Sequence, residues 1–116
     1  MVGEMTIELA QCQSIMRQAG EGMDAFLERH RTSTPSLEAA HVIMQDYQSA
    51  KWTVNRGAIN IVSNAMDLAG GGAFMSGHLL SRLYRDVRAG PFMQPYSPSE
   101  AREYVGKVAL GLLPDE

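Results

Sequence analysis

LEAAHVIMQDYQSAKWTVNRGAINIVSNAMDLAGGG, residues 37–72, is the stretch that decides the fold. Leu37, Ala40, Met44, Tyr47, Lys51, Val54, Ala58, Ile61, Ala65 and Leu68 recur at alternating steps of three and four, which places them on one stripe of an α-helix. Lys51 is the one charged residue on that stripe. Thr34 is placed to cap this helix and Pro35 to take its first position, where the amide that proline lacks would be unpaired anyway. Gly70, Gly71 and Gly72 stop it, because glycine readily takes the left-handed conformation of a helix C-cap. At ~1.5 Å per residue such a helix is ~50 Å long. That is too long for the rest of a 116-residue chain to cover, so part of its surface is expected to meet something else.

Upstream, Leu9, Cys12, Met16, Ala19, Met23 and Phe26 follow the same alternation and predict a helix from about Glu4 to about His30. Gly20 and Gly22 weaken it by up to ~1 kcal/mol each relative to alanine, which is tolerable where another helix approaches closely. Downstream, a third helix is expected from about His78 to Ala89, with Ser76 as cap and Leu80, Leu83, Tyr84 and Val87 on its apolar face. Gly90-Pro91 ends it. A fourth opens at Ser97-Pro98-Ser99-Glu100, where serine and a glutamate three residues on form a capping box. Ala101, Tyr104, Val105, Val108, Ala109 and Leu112 form its buried face, and Gly111 with Pro114 ends it. No strand pattern interrupts this series. The fold class is all-α, an antiparallel bundle of about four helices in a single domain, residues 1–116.

Whole-chain properties narrow the function by exclusion. Hydrophobic residues make up 45%, enough for a core, and the net charge of −3 gives no general nucleic-acid footprint. A lone Cys12, on the apolar stripe of the first helix, excludes an intrachain disulfide and fits a reducing cytoplasm. No apolar run reaches the ~20 residues of a membrane span. The opening MVGEMTIELA is acidic and does not read as a signal peptide. His30, His41 and His78 lie too far apart for a paired metal-ligand motif. No nucleophile elbow, Walker loop or CxxC is present.

Three features remain open on spacing alone. The triple glycine either stops a helix or lets backbone amides approach an anionic ligand. Arg82, Arg85 and Arg88 suit a solvated face, intersubunit ion pairs or a phosphate site. Glu100 is a structural cap when taken by itself.

Taken in order, AMDLAGGGAF, LYRDVRAG and SPSEAREYVGKVALGLL resemble the C-terminal signature of the acyl-CoA dehydrogenase superfamily. The resemblance is close over about Lys51 to Leu112 and rests on helix layout over Glu8 to Ala50. It implies that Gly70 and Gly71 approach the diphosphate of FAD across a subunit interface. Ser99 and Glu100 match the cofactor-contacting start of the last helix, with Glu100 serving as cap and ribose contact together. Arg85 and Asp86 match a structural aromatic–Arg–Asp pair. Asp67 stands where the family usually has a flavin-contacting glutamine, and a carboxylate there repels a diphosphate unless neutralised. The usual catalytic glutamate falls on Gln94, whose amide cannot serve as a base. The family's N-terminal helical and middle β-domains, and the first helix of its C-terminal bundle, are not in this sequence.

The resemblance therefore implies the C-terminal part of an FAD-dependent oxidoreductase, inactive alone. It implies a homo-oligomer (dimer or tetramer), an acyl-CoA substrate and an electron-transfer flavoprotein as partner, with monooxygenase chemistry as the other known possibility. A competing reading is a non-enzymatic helical oligomerisation module or a base-less partner subunit.

Overall fold

The computed structural model describes residues 1–93 and 97–112. Four helices form in the expected order: α1 (Val2–Arg29), α2 (Leu37–Ala69), α3 (Leu79–Ala89) and α4 (Pro98–Ala109). Single 3₁₀ turns, Gly71–Phe74 and Gly90–Phe92, follow α2 and α3. Among the described residues there is no strand.

Two helix starts differ from the sequence reading. Ser36, not Thr34, caps α2: its side chain accepts from the Ala39 amide at 3.1 Å, and Pro35 stays outside the helix. His78, not Ser76, caps α3, its Nδ1 accepting from the Leu80 amide at 3.1 Å. The buried face expected of α4 is shorter than the sequence reading gave it: Ala101 and Tyr104 are buried and Val105 and Val108 half-buried, but Ala109 and Leu112, in and beyond the last turn, are exposed because α2 no longer lies over them, and Pro114 lies outside the described residues. Gly70 ends α2 at φ +84°, a region only glycine enters without strain. Ser97 and Glu100 form the full capping box at α4.

The packing is a slab with α2 in the middle. The molecule measures 55 × 26 × 23 Å, its long axis set by the 33 residues of α2. α1 runs antiparallel along the side of α2 that carries Ala50 and Gly57. Gly57 is the point of closest approach, since a Cβ there would collide with Cys12 Sγ. Asn60 donates to Glu8 Oε1 at 2.9 Å on the next turn. Cys12 is buried as expected, and burial with nearby Glu8 raises its thiol pKa.

Half a turn round α2, residues at i, i+7 spacing meet the other layer. His41 hydrogen-bonds the Tyr104 hydroxyl of α4, and Asn55 lies against Gly90 at the end of α3. α3 and α4 thus follow each other along the side of α2 opposite α1, and both run antiparallel to it.

The buried centre is built mainly from small side chains, Cys12, Ala19, Ala50, Ala73 and Ala101, with Gln48, Met66 and Tyr104 the large exceptions. No residue of the Leu37–Leu68 stripe is fully buried, and Leu37, Met44, Tyr47 and Leu68 are exposed. Each large apolar side chain left in water forgoes ~1.5–3 kcal/mol of burial. No helix among the described residues is long and apolar enough to cross a membrane.

Candidate functional site

The residues singled out for a cofactor fall into two patches. The first is the turn after α2. Gly70 N–H bonds back to Met66 O, and Ala73 N–H to Gly70 O, both at 3.0 Å, so the chain reverses over Gly70, Gly71 and Gly72. All three are exposed, and a Cβ built on any of them would meet nothing within 4 Å. This is an open backbone surface that a ligand can approach to main-chain distance. Asp67 sits one turn back, exposed, in a last turn that carries no basic residue. A carboxylate opposes the helix dipole there.

The second patch is the first turn of α4. Ser97 Oγ accepts from the Glu100 amide at 3.4 Å, and Glu100 Oε1 accepts from the Ser97 amide at 3.1 Å. The bonds to Ser97, first its side chain and then its backbone, hold the Glu100 carboxyl below the usual carboxylate range, with Lys51 adding attraction. Ser99 Oγ accepts from Arg102 at 3.5 Å. Both Ser99 and Glu100 are exposed. Lys51 donates to the Met93 carbonyl and so ties α2 to the segment just before α4.

These patches do not meet within one chain. The first turn of α4 lies beside α2 near Lys51, Trp52 and Thr53. Gly70 lies nineteen residue steps beyond Lys51 along α2, a rise of roughly 28 Å. Gln94, at the position of the usual base, lies outside the described residues.

Sequence reading passed over one feature beside the second patch. A cleft of about 430 Å³ between α2 and α4 is lined by Ser49, Trp52, Thr53, Ala101, Arg102 and Val105, with Gly106 at its edge. The Trp52 Nε1 is buried without a hydrogen-bond partner among the described residues, and the Arg56 guanidinium stacks 4.5 Å over its ring. The available signal was the only tryptophan in the chain, off the apolar stripe and four residues before an arginine. Among the described residues no cluster of metal-ligating side chains exists.

Curated relatives share one chemistry. The chain is 52% identical over 75 residues to L-evernosamine nitrososynthase of a Micromonospora species, an alignment covering 65% of this chain and 18% of that protein. It is 45% identical over 69 residues to an amino sugar nitrososynthase of Streptomyces peucetius (60% and 17%). A third, from Streptomyces rubradiris, is 41% identical over 75 residues (65% and 18%). The aligned part is thus under a fifth of each relative's length. No solved structure gives a significant match. The family model for the acyl-CoA dehydrogenase C-terminal domain matches residues 1–94, which takes in α1, α2, the glycine turn and α3. The chain belongs to the acyl-CoA dehydrogenase family, as its C-terminal helical domain.

Proposed function

We propose that this domain serves an FAD-dependent oxidoreductase that oxidises the amine nitrogen of an amino sugar, and that it works joined to or alongside the domains that hold most of the flavin. What carries the reading is the shared identity with three nitrososynthases, 52% in the first. An acyl-CoA substrate, the expectation from resemblance alone, has no such support among these relatives. Gln94 fits the same direction. An amine nitrogen offers its own lone pair, so its oxidation needs no carboxylate to strip a proton from carbon.

The domain's part is to position the cofactor. FAD supplies the redox chemistry when bound. The exposed Gly70–Gly71 backbone is open enough to approach its diphosphate, and the α4 N-terminus has the dipole that favours anionic groups. The ~28 Å between the two patches suits one flavin reached by the glycine turn of one subunit and the α4 start of another, in a dimer or tetramer.

The test is to supply the flavin-loaded full-length protein, in air, with a nucleotide-linked amino sugar plus a reduced nicotinamide and a flavin reductase to reduce the flavin, or with an acyl-CoA plus an artificial electron acceptor. Products are then followed by mass spectrometry. The expected result is oxygen added at the sugar nitrogen and no enoyl-CoA. Enoyl-CoA formation with an untouched amino sugar would overturn the substrate reading.

A further inference from the structure

The cleft between α2 and α4 takes no part in the cofactor reading, and its chemistry is lopsided. Ala101 is buried at its base, with Trp52 and Val105 half-buried beside it. Apart from the hydroxyls of Ser49 and Thr53, every polar side chain around it is a donor only. Arg102 lines the cleft, the Arg56 guanidinium lies 4.5 Å over the Trp52 ring, and an indole can donate but not accept. Neither guanidinium has a carboxylate partner among the described residues. Glu103, next to Arg102 in the chain, pairs instead with Lys107 at 3.3 Å, and Glu8, beside the turn after Arg56, accepts from Asn60. The Trp52 Nε1 is buried without an acceptor, which disfavours the fold as it stands. α4 packs chiefly on α2, so whatever fills the cleft bears on how firmly α4 is held.

We propose that this cleft is a binding site for a small amphipathic anion, an apolar body that carries a carboxylate or phosphate at one end. The body lies on Trp52, Ala101 and Val105. The charge meets the Arg102 guanidinium, which suits planar, two-point pairing with such a group, and Arg56 adds attraction from behind the ring. The volume, about 430 Å³, is that of a small-ligand pocket. Arg102 can turn toward the ligand, since its bond to Ser99 Oγ is long at 3.5 Å and exposed. A cation is repelled by the two guanidiniums, and a neutral molecule leaves both without a partner. The Trp52 nitrogen has no exposed surface, so a bond from it to the anion forms only with a tilt of the ring. Gly106 keeps the edge of the cleft open, since a Cβ there would meet nothing within 4 Å. Because the ligand touches both helices, its binding also fastens α4 to α2.

The experiment is isothermal titration calorimetry of the full-length protein with 4-phenylbutyrate, 4-phenylbutanol and 4-phenylbutylamine, which share a body and differ in charge. The expected result is one site per chain for 4-phenylbutyrate, with a Kd of about 1 mM or tighter, the range open to so small a ligand. The alcohol should bind at least tenfold more weakly and the amine not at all. Gly106→Leu replaces a poor helix former and fills the edge of the cleft. It should abolish binding with circular dichroism and melting temperature kept. Arg102→Gln, at an exposed position, should weaken binding at least tenfold, and it carries the test by itself if the glycine variant fails to fold. Arg82→Gln, which removes an exposed guanidinium from α3, should change nothing. Saturating 4-phenylbutyrate should slow hydrogen exchange in α4, and the amine should not. No binding by the wild-type protein, equal binding of acid and alcohol, or an undiminished affinity in Arg102→Gln would each overturn the proposal. None of these readouts depends on flavin retention, so the flavin reading can fail while this one stands.

Discussion

The glycine turn after α2 and the first turn of α4, the two patches proposed to reach the cofactor, treat their own polar groups in opposite ways. At the turn the surface is bare main chain, and the positions where side chains would stand are empty space. At α4 the side chains are present but turned inward on their own helix: Ser97 and Glu100 satisfy each other's amides, and Ser99 accepts from Arg102. A group already engaged has less to offer a ligand than one held open. The comparison teaches that the turn leaves its main chain open to approach, whereas the α4 start is first a helix cap whose polar groups are already engaged.

The contrast can be broken or sharpened by substitutions of decreasing effect. Gly70→Val should cost the most, because φ +84° with ψ −173° is a region that only glycine occupies readily. Forcing a side chain into it costs ~1–3 kcal/mol, so urea denaturation should show a lower midpoint, by that energy divided by the slope, with the slope unchanged. Ser97→Ala should cost ~1 kcal/mol, the usual loss for an N-cap, read in the same titration and confined to α4 in hydrogen exchange. Glu100→Gln should cost less at neutral pH and show itself chiefly as a change in pH dependence. The Glu100 pKa is lowered in the folded chain, so its contribution is fully present above the ordinary value of 4.5 and is lost as pH falls through the folded value. The wild type should therefore lose α4 helicity in that acid window, and the variant should lose less.

Signals that act through one residue's backbone or one local hydrogen bond were legible in the sequence. Gly70 read as a helix stop and has the positive φ that makes it one. Ser97 with Glu100 read as a capping box and forms it. Where several candidates for one role sat within three residues, the spacing did not choose among them. Ser36 took the cap from Thr34, and His78 took it from Ser76, because each places an acceptor against a first-turn amide. The periodicity of α2 was right, and its incomplete coverage was foreseen. Which sides the other helices would cover was not legible. Close packing selected Gly57 and Ala50, where α1 can come near, and left the larger side chains of the stripe on the flank.

The two halves of the candidate site were legible only as a matched pattern, and their separation was not. Distance along a helix is simple arithmetic, but where α4 docks on α2 depends on Tyr104 reaching His41 and on Lys51 reaching the Met93 carbonyl. Both are contacts between residues more than forty apart in the chain. Trp52 escaped notice for the same reason, since its buried indole nitrogen acquires meaning only once α4 lies beside it.

The central claim, that the glycine turn is the open face presented to the flavin, is tested most directly by titrating FAD into the apo form of the full-length protein carrying Gly71→Asp, with Glu100→Gln beside it. Gly71 has ordinary φ and no neighbour within 4 Å of an added Cβ, so the fold should be unchanged and the melting temperature of the apo form should not move. The expected result is a loss of FAD affinity of at least tenfold for Gly71→Asp and a smaller loss for Glu100→Gln. Normal flavin binding by Gly71→Asp would contradict the account.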